Sequence, residues 1–166
     1  MPKKQIYLTG FMGTGKSMIL NCLHEVCGFD KIEMDEQIVQ EQGMSIPEIF
    51  EKKGEEYFRN LETELVKKIS AMDNIVVSCG GGTVMRQCNV DEMKKNGTIV
   101  LLTAEPETVY ERVKGSHNRP LLEKNMNPEY IKELMEARRP KYEAAADFVI
   151  KTDNRTAEEI CLEITK

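Results

Sequence analysis

Residues 5–17 read Gln5-Ile-Tyr-Leu-Thr9-Gly10-Phe-Met-Gly13-Thr14-Gly15-Lys16-Ser17. A short apolar run, Gln5–Thr9, passes directly into a glycine-rich loop. A helical pattern follows over Lys16–Val26, with Ile19, Leu20, Leu23 and Val26 on one stripe. Gly10 to Ser17 satisfies GxxxxGK[ST] in strand–loop–helix context. Such glycines let backbone N–H groups converge on phosphate oxygens, and the helix N-terminus adds a favourable dipole. Lys16 is expected on the β- and γ-phosphates, and the Ser17 hydroxyl on Mg²⁺. A nucleoside triphosphate, ATP by expectation, is therefore the first ligand read from the chain.

Working outward, strand-like runs alternate with helical patterns. Strands are expected at Lys31–Met34, Asn74–Ser78, Thr98–Thr103 and Phe148–Ile150. Helices are expected at Glu36–Gln42, Glu55–Met72, Val90–Asn96, Pro106–Lys114, Pro128–Ala146 and Thr156–Ile164. Ser45-Ile-Pro-Glu48 is a capping box opening one more short helix. Thr98–Thr103, the most apolar strand, is expected at the centre of the sheet. Strand–helix alternation implies an α/β fold with a parallel sheet covered on both faces. Ligands of such sheets bind beyond the carboxyl ends of the strands. Residues 115–128 are polar with two prolines and no periodicity, which reads as a lid near 113–127.

Composition sets limits. The chain has 166 residues, 40 % hydrophobic and 31 % charged, which suits one globular domain over 1–166. Lys+Arg is 23 against Asp+Glu 28, a net charge of −5, which argues against general nucleic-acid binding. No apolar run approaches the ~20 residues of a membrane span, and the N-terminus lacks a signal-peptide pattern. The cysteines, Cys22, Cys27, Cys79, Cys88 and Cys161, are odd in number and show no CxxC spacing. Reduced thiols in the cytoplasm are expected, with Cys79 and Cys88 as small buried apolar groups.

Several polar groups stand where an acceptor would bind. Glu33 and Asp35 are two apart, and on an extended segment their side chains point the same way. One would hold Mg²⁺ through water and the other accept a hydroxyl proton; a solvated acidic turn is the plainer alternative. Arg138 shares a helical stripe with Ile131 and Leu134, a place where arginine wants an anionic partner. A structural ion pair or a snorkelling side chain is the alternative. Arg59, with Glu55 four residues before and Glu62 three after, reads by default as a surface salt bridge. Gly80-Gly81-Gly82 directly follows a buried strand and suits close approach of a ligand. Arg119 lies in the expected lid, where an arginine can neutralise charge on a transferred group.

Taken together the set resembles the shikimate kinase family, nearly end to end. GFMGTGKS, Glu33-Met-Asp35, SIPEIF…GEEYFRNLE, the glycines at 80–82, RPLL at 119–122 and RRPKY at 138–142 fall in that family's order. The resemblance implies a five-stranded parallel sheet, order 2-3-1-4-5, in a three-layer αβα sandwich with a lid. It implies phosphorylation of the shikimate 3-hydroxyl by ATP with Mg²⁺, a shikimate-binding region about 33–62, and a monomer. By resemblance Gly13, Thr14, Gly15, Lys16, Ser17 and Met18 hold nucleotide, Arg112 and Arg155 flank adenine, and Arg119 meets ATP phosphates. Asp35 contacts the ring hydroxyls and orients the attacking one. Arg59 and Arg138 grip the carboxylate beside Gly80, Gly81 and Gly82. Ser17 and Glu33 serve the metal. Glu33 replaces the family's usual Asp, and Met18, Ile19 and Leu20 replace its small residues after GKS. Two rival readings are a kinase for another sugar acid, such as gluconate, and an inert nucleotide-binding paralogue.

Overall fold

The computed structural model describes residues 5–11, 15–80, 82–113 and 128–165. Among the described residues five strands alternate with eight α-helices. They are β1 (Gln5–Thr9), α1 (Lys16–Cys27), β2 (Asp30–Glu33), α2 (Met34–Gln42), α3 (Ile46–Lys53), α4 (Glu55–Ile69) and β3 (Ile75–Ser78). A single 3-10 turn (Thr83–Met85) leads to α5 (Gln87–Lys94), β4 (Gly97–Thr103), α6 (Pro106–Val113), α7 (Pro128–Ala145), β5 (Phe148–Lys151) and α8 (Ala157–Ile164).

The sheet is wholly parallel, in the order β2-β3-β1-β4-β5. β1 is the central strand: Tyr7 lies opposite Val77 on one side and Ile99 on the other. This corrects the expectation for Thr98–Thr103. Burial on both faces makes β4 apolar, and that is true of any interior strand, so apolarity alone does not identify the middle one.

Alternation along the strands feeds two cores. Tyr7, Val77, Ile99 and Leu101 face α2, α4, α5 and α7, whose apolar stripes supply Ile38, Leu65, Met93 and Ile131. Ile6, Leu8, Val76, Val100 and Ile150 face α1 and α8, which supply Ile19, Leu23 and Ile160. Ser45 caps α3 as the sequence pattern predicts: the Glu48 N–H donates to its Oγ at 3.3 Å. Gln5 closes the far end of the sheet. Its buried Nε2 donates to the carbonyls of Ile69, Ser70 and Met72 at 3.3, 3.0 and 2.8 Å. Ile69 and Ser70 stand at the end of α4, where carbonyls lack the next turn's donors, and Met72 lies just beyond. No helix among the described residues is long and apolar enough to cross a membrane.

Because every strand runs the same way, the segments after β1, β2, β3, β4 and β5 all emerge at one edge of the sheet. The phosphate loop, Glu33, Gly80, Ala104 and Thr152 lie along that edge.

Candidate active site

Lys16 opens α1, and its Nζ donates to the Gly10 and Phe11 carbonyls at 2.8 and 3.2 Å. The ammonium thus rests on the loop's own backbone. Gly15 caps α1 with φ 98°, a left-handed conformation that glycine adopts without steric cost. Arg112, in the last turn of α6, reaches over this end of the loop. Its Nη1 donates to Thr152 Oγ1 at 3.2 Å and would lie 3.9 Å from a Cβ placed on Gly15. Arg155 is held by α8, through Glu163 at 2.9 Å and Glu159 at 3.9 Å. Met18 is exposed. Gly13, Thr14, Gly81, Arg119 and the expected lid lie outside the described residues, Val113 excepted, which ends α6.

Glu33 and Asp35 part company. The helix begins at Met34, which is fully buried, so Glu33 is the extended N-cap and Asp35 sits in the first turn of α2. The expected shared direction therefore fails, because residues two apart on a helix do not face each other. Glu33 joins Ser17, Asn21, Lys31, Glu36, Gln37 and others around a polar cleft of about 440 Å³. Asp35 lies outside that cleft and instead meets Gly80: a Cβ there would stand 2.9 Å from its Oδ1. Ser17 and Glu33 offer hard oxygens in one polar cleft, and Mg²⁺ needs only one or two such protein ligands beside substrate phosphates. The donor set fits that ion. No cluster of three metal-ligating side chains exists among the described residues.

A second carboxylate, Glu62, completes this corner, and the sequence did not single it out for a site role. It is fully buried on α4. Arg59 Nη1 donates to its Oε1 at 2.7 Å, and Thr83 Oγ1 donates to its Oε2 at 2.9 Å. A Cβ on Gly80 would meet the same Oε2 at 2.8 Å. Burial pushes the Glu62 carboxyl above the usual carboxylate range, against the pull of Arg59. Burial also works against the Arg59 charge, but Glu62 and Glu55 outweigh it and raise the guanidinium's pKa. In sequence, Arg59 and Glu62 look like any i,i+3 surface pair. Two signals were available: Glu62 shares the face of Phe58, Leu65 and Val66, all buried, and it ends the GEEYFRNLE stretch that resembles the family motif.

Arg59 lies against Gly82, close enough that a Cβ would collide with its Nη1. Across from it, Arg138 projects from α7, half-buried, with its guanidinium 5.9 Å from the Phe11 ring centre. Its Nη1 donates to the Tyr142 hydroxyl at 3.4 Å. Tyr142 is close enough to feel both the Arg138 and the Arg59 charges. α7 packs against the turn that follows Gly82, so Arg138 and Arg59 flank the same corner of the site. Among the described residues Arg138 pairs with no carboxylate. Cys79 is buried beneath this corner, as expected, whereas Cys88 is exposed on α5 because it faces away from the sheet.

The sequence matches the family model of shikimate kinase over residues 12–166. The chain belongs to the shikimate kinase family. A shikimate kinase of Thermodesulfovibrio yellowstonii is 44 % identical over 163 residues, covering 98 % of this chain and 94 % of that protein. The fold of this family member superposes on solved relatives. Shikimate kinase from Acinetobacter baumannii in complex with shikimate gives a TM-score of 0.91 at 32 % identity, covering 99 % of this chain and 91 % of that one. Shikimate kinase from Aquifex aeolicus gives 0.82 at 40 % identity, covering 97 % and 94 %. The sheet order expected from the resemblance is the observed one. The kinase is thus a P-loop phosphotransferase.

Proposed function

We propose that this chain transfers the γ-phosphoryl group of ATP to the 3-hydroxyl of shikimate, giving ADP and shikimate 3-phosphate. One observation carries the choice of acceptor. A half-buried guanidinium without a carboxylate partner among the described residues, Arg138, stands 5.9 Å from the Phe11 ring centre, on a helix that packs against the turn after Gly82, where Arg59 lies. Two arginines held there suit one small carboxylate, each charge-assisted contact contributing about 1.5–3 kcal/mol.

The residue roles are those the family resemblance implies. Gly13, Thr14, Gly15 and Met18 line the phosphate side, and Arg112 and Arg155 flank the base. Lys16 exchanges the Gly10 and Phe11 carbonyls for β- and γ-phosphate oxygens. Asp35 accepts a hydrogen bond from the attacking hydroxyl and orients it in line, where positioning and electrostatics do most of the catalysis. Arg59, Arg138 and the glycines 80–82 seat the carboxylate and ring. Arg119, from the lid at 113–127, neutralises charge on the transferred group and closes out water. Ser17 and Glu33 hold Mg²⁺, which when bound neutralises charge on the phosphates. We assign 1–166 to one domain, with shikimate bound about 33–62. A monomer is what the family resemblance implies. The free thiols suit the cytoplasm.

The test is ADP release from Mg-ATP with shikimate, with gluconate, and with neither. Release that depends on shikimate alone is expected. Release with gluconate overturns the acceptor, and none from protein that binds ATP makes the chain an inert paralogue. Glu33→Asp then separates a slow enzyme, which keeps or gains turnover, from an inert one.

A further inference from the structure

The chain at 151–153, where β5 ends, holds both ends of α6. At the start of the helix, the Glu105 N–H donates to both Asp153 carboxylate oxygens at 3.2 Å, and Lys151 Nζ stands 2.8 Å from Glu105 Oε1. In its last turn, Arg112 Nη1 donates to Thr152 Oγ1 at 3.2 Å. Thr152 is 2 % exposed, whereas Arg112 is an exposed residue. The buried hydroxyl is itself oriented, because it donates to the Thr103 carbonyl at 3.0 Å, where β4 ends. A hydroxyl has one proton, so with that proton on Thr103 only its acceptor lone pairs face Arg112. The backbone N–H of Thr152 also donates to the Thr103 carbonyl, at 2.8 Å. Thr152 is therefore anchored by its main chain, and its side chain serves the guanidinium. That guanidinium stands beside the phosphate loop, its Nη1 3.9 Å from a Cβ placed on Gly15, the residue that caps α1.

We propose that Thr152 is a positioning residue for nucleotide binding: its hydroxyl holds Arg112 beside the phosphate loop before the nucleotide arrives. The proposal rests on the reading of Arg112 as a nucleotide contact. A long exposed side chain otherwise samples many rotamers, and ordering it on binding weakens affinity. A guanidinium already held at the loop avoids that loss. Thr152 acts through Arg112, so removing its hydroxyl weakens nucleotide binding selectively. Arg59 and Arg138 keep their own partners, Glu62 and Tyr142, on α4 and α7.

Isothermal titration with ADP needs neither acceptor nor turnover, so it reads this site whatever the acceptor is. Thr152→Val keeps the shape and removes the hydroxyl. The expected result is an ADP Kd and an ATP KM raised about fivefold, with the shikimate KM within about twofold. Thr152→Ser, which keeps the hydroxyl, restores nucleotide binding. Added to Arg112→Ala, Thr152→Val weakens ADP binding no further, because its effect runs through the arginine. Unchanged ADP binding in Thr152→Val, equal weakening of both substrates, additive losses in the double variant, or a Thr152→Ser no better than Thr152→Val overturns the proposal. Normal ADP binding by Arg112→Ala overturns it as well, at the reading of Arg112 rather than at Thr152. Where Thr152→Val does not fold, Thr152→Ala against Thr152→Ser makes the same comparison.

Discussion

Arg59 and Glu62 stand one turn apart on α4 with Nη1 and Oε1 2.7 Å apart, and only the arginine reaches the surface. Glu62 is fixed by burial and by Thr83, so it sets where the guanidinium points. Glu62→Gln keeps the shape and removes the charge. The expected result is a shikimate KM raised about tenfold with the ATP KM within about twofold. Steady-state kinetics in both substrates checks it, and equal weakening of both would mean a purely structural pair.

The same carboxyl gives a pH dependence. Its folded-state pKa is raised above the usual 4.5, chiefly by burial. The folded state therefore binds the proton more tightly than the unfolded one. The stability this contributes is complete below the unfolded value and is lost as pH rises through the folded value. Urea unfolding of the protein and of Glu62→Gln across that window should show the difference between them moving against the unsubstituted chain as pH rises.

Gly80 and Gly82 are expected to fail differently. A Cβ at Gly80 would stand 2.8 Å from Glu62 Oε2 and 2.9 Å from Asp35 Oδ1. Buried Glu62 has no room to retreat, so Gly80→Ala displaces Asp35 and lowers kcat by about 100-fold. A Cβ at Gly82 meets the mobile end of Arg59, so Gly82→Ala raises the shikimate KM about tenfold with a smaller loss of kcat. The kcat-against-KM split is the readout.

Arg138 touches Tyr142 and the Phe11 ring. Arg138→Ala should raise the shikimate KM at least about tenfold, the loss of one charge-assisted contact, and leave ATP affinity nearly unchanged. Isothermal titration with each ligand separately decides whether the residue serves the acid or the fold.

Far from the site, Gln5 satisfies three carbonyls and accepts from the Tyr7 hydroxyl at 2.7 Å. Gln5→Leu leaves those buried groups unmatched and should cost about 3 kcal/mol. The urea midpoint should fall with an unchanged slope, and kcat should hold at low temperature.

The sequence by itself determined the alternation of strands and helices, the phosphate loop, the Ser45 cap and the apolar stripe that ends at Arg138. Each is a local pattern, written in residues a few positions apart. It also carried the family's motifs, and so the sheet order. Tertiary structure alone decided the rest. Met34 is driven into the core, which starts α2 one residue after Glu33 and leaves Glu33 in the polar cleft and Asp35 at Gly80. Glu62 becomes a buried site carboxylate only because Thr83 and Gly80, about 20 residues on, pack over it. Cys161 meets the Ile19 carbonyl across 142 residues of chain only because α1 and α8 share one face of the sheet. Side-chain direction and burial are set by what the fold brings from elsewhere in the chain, and no short window of sequence contains that.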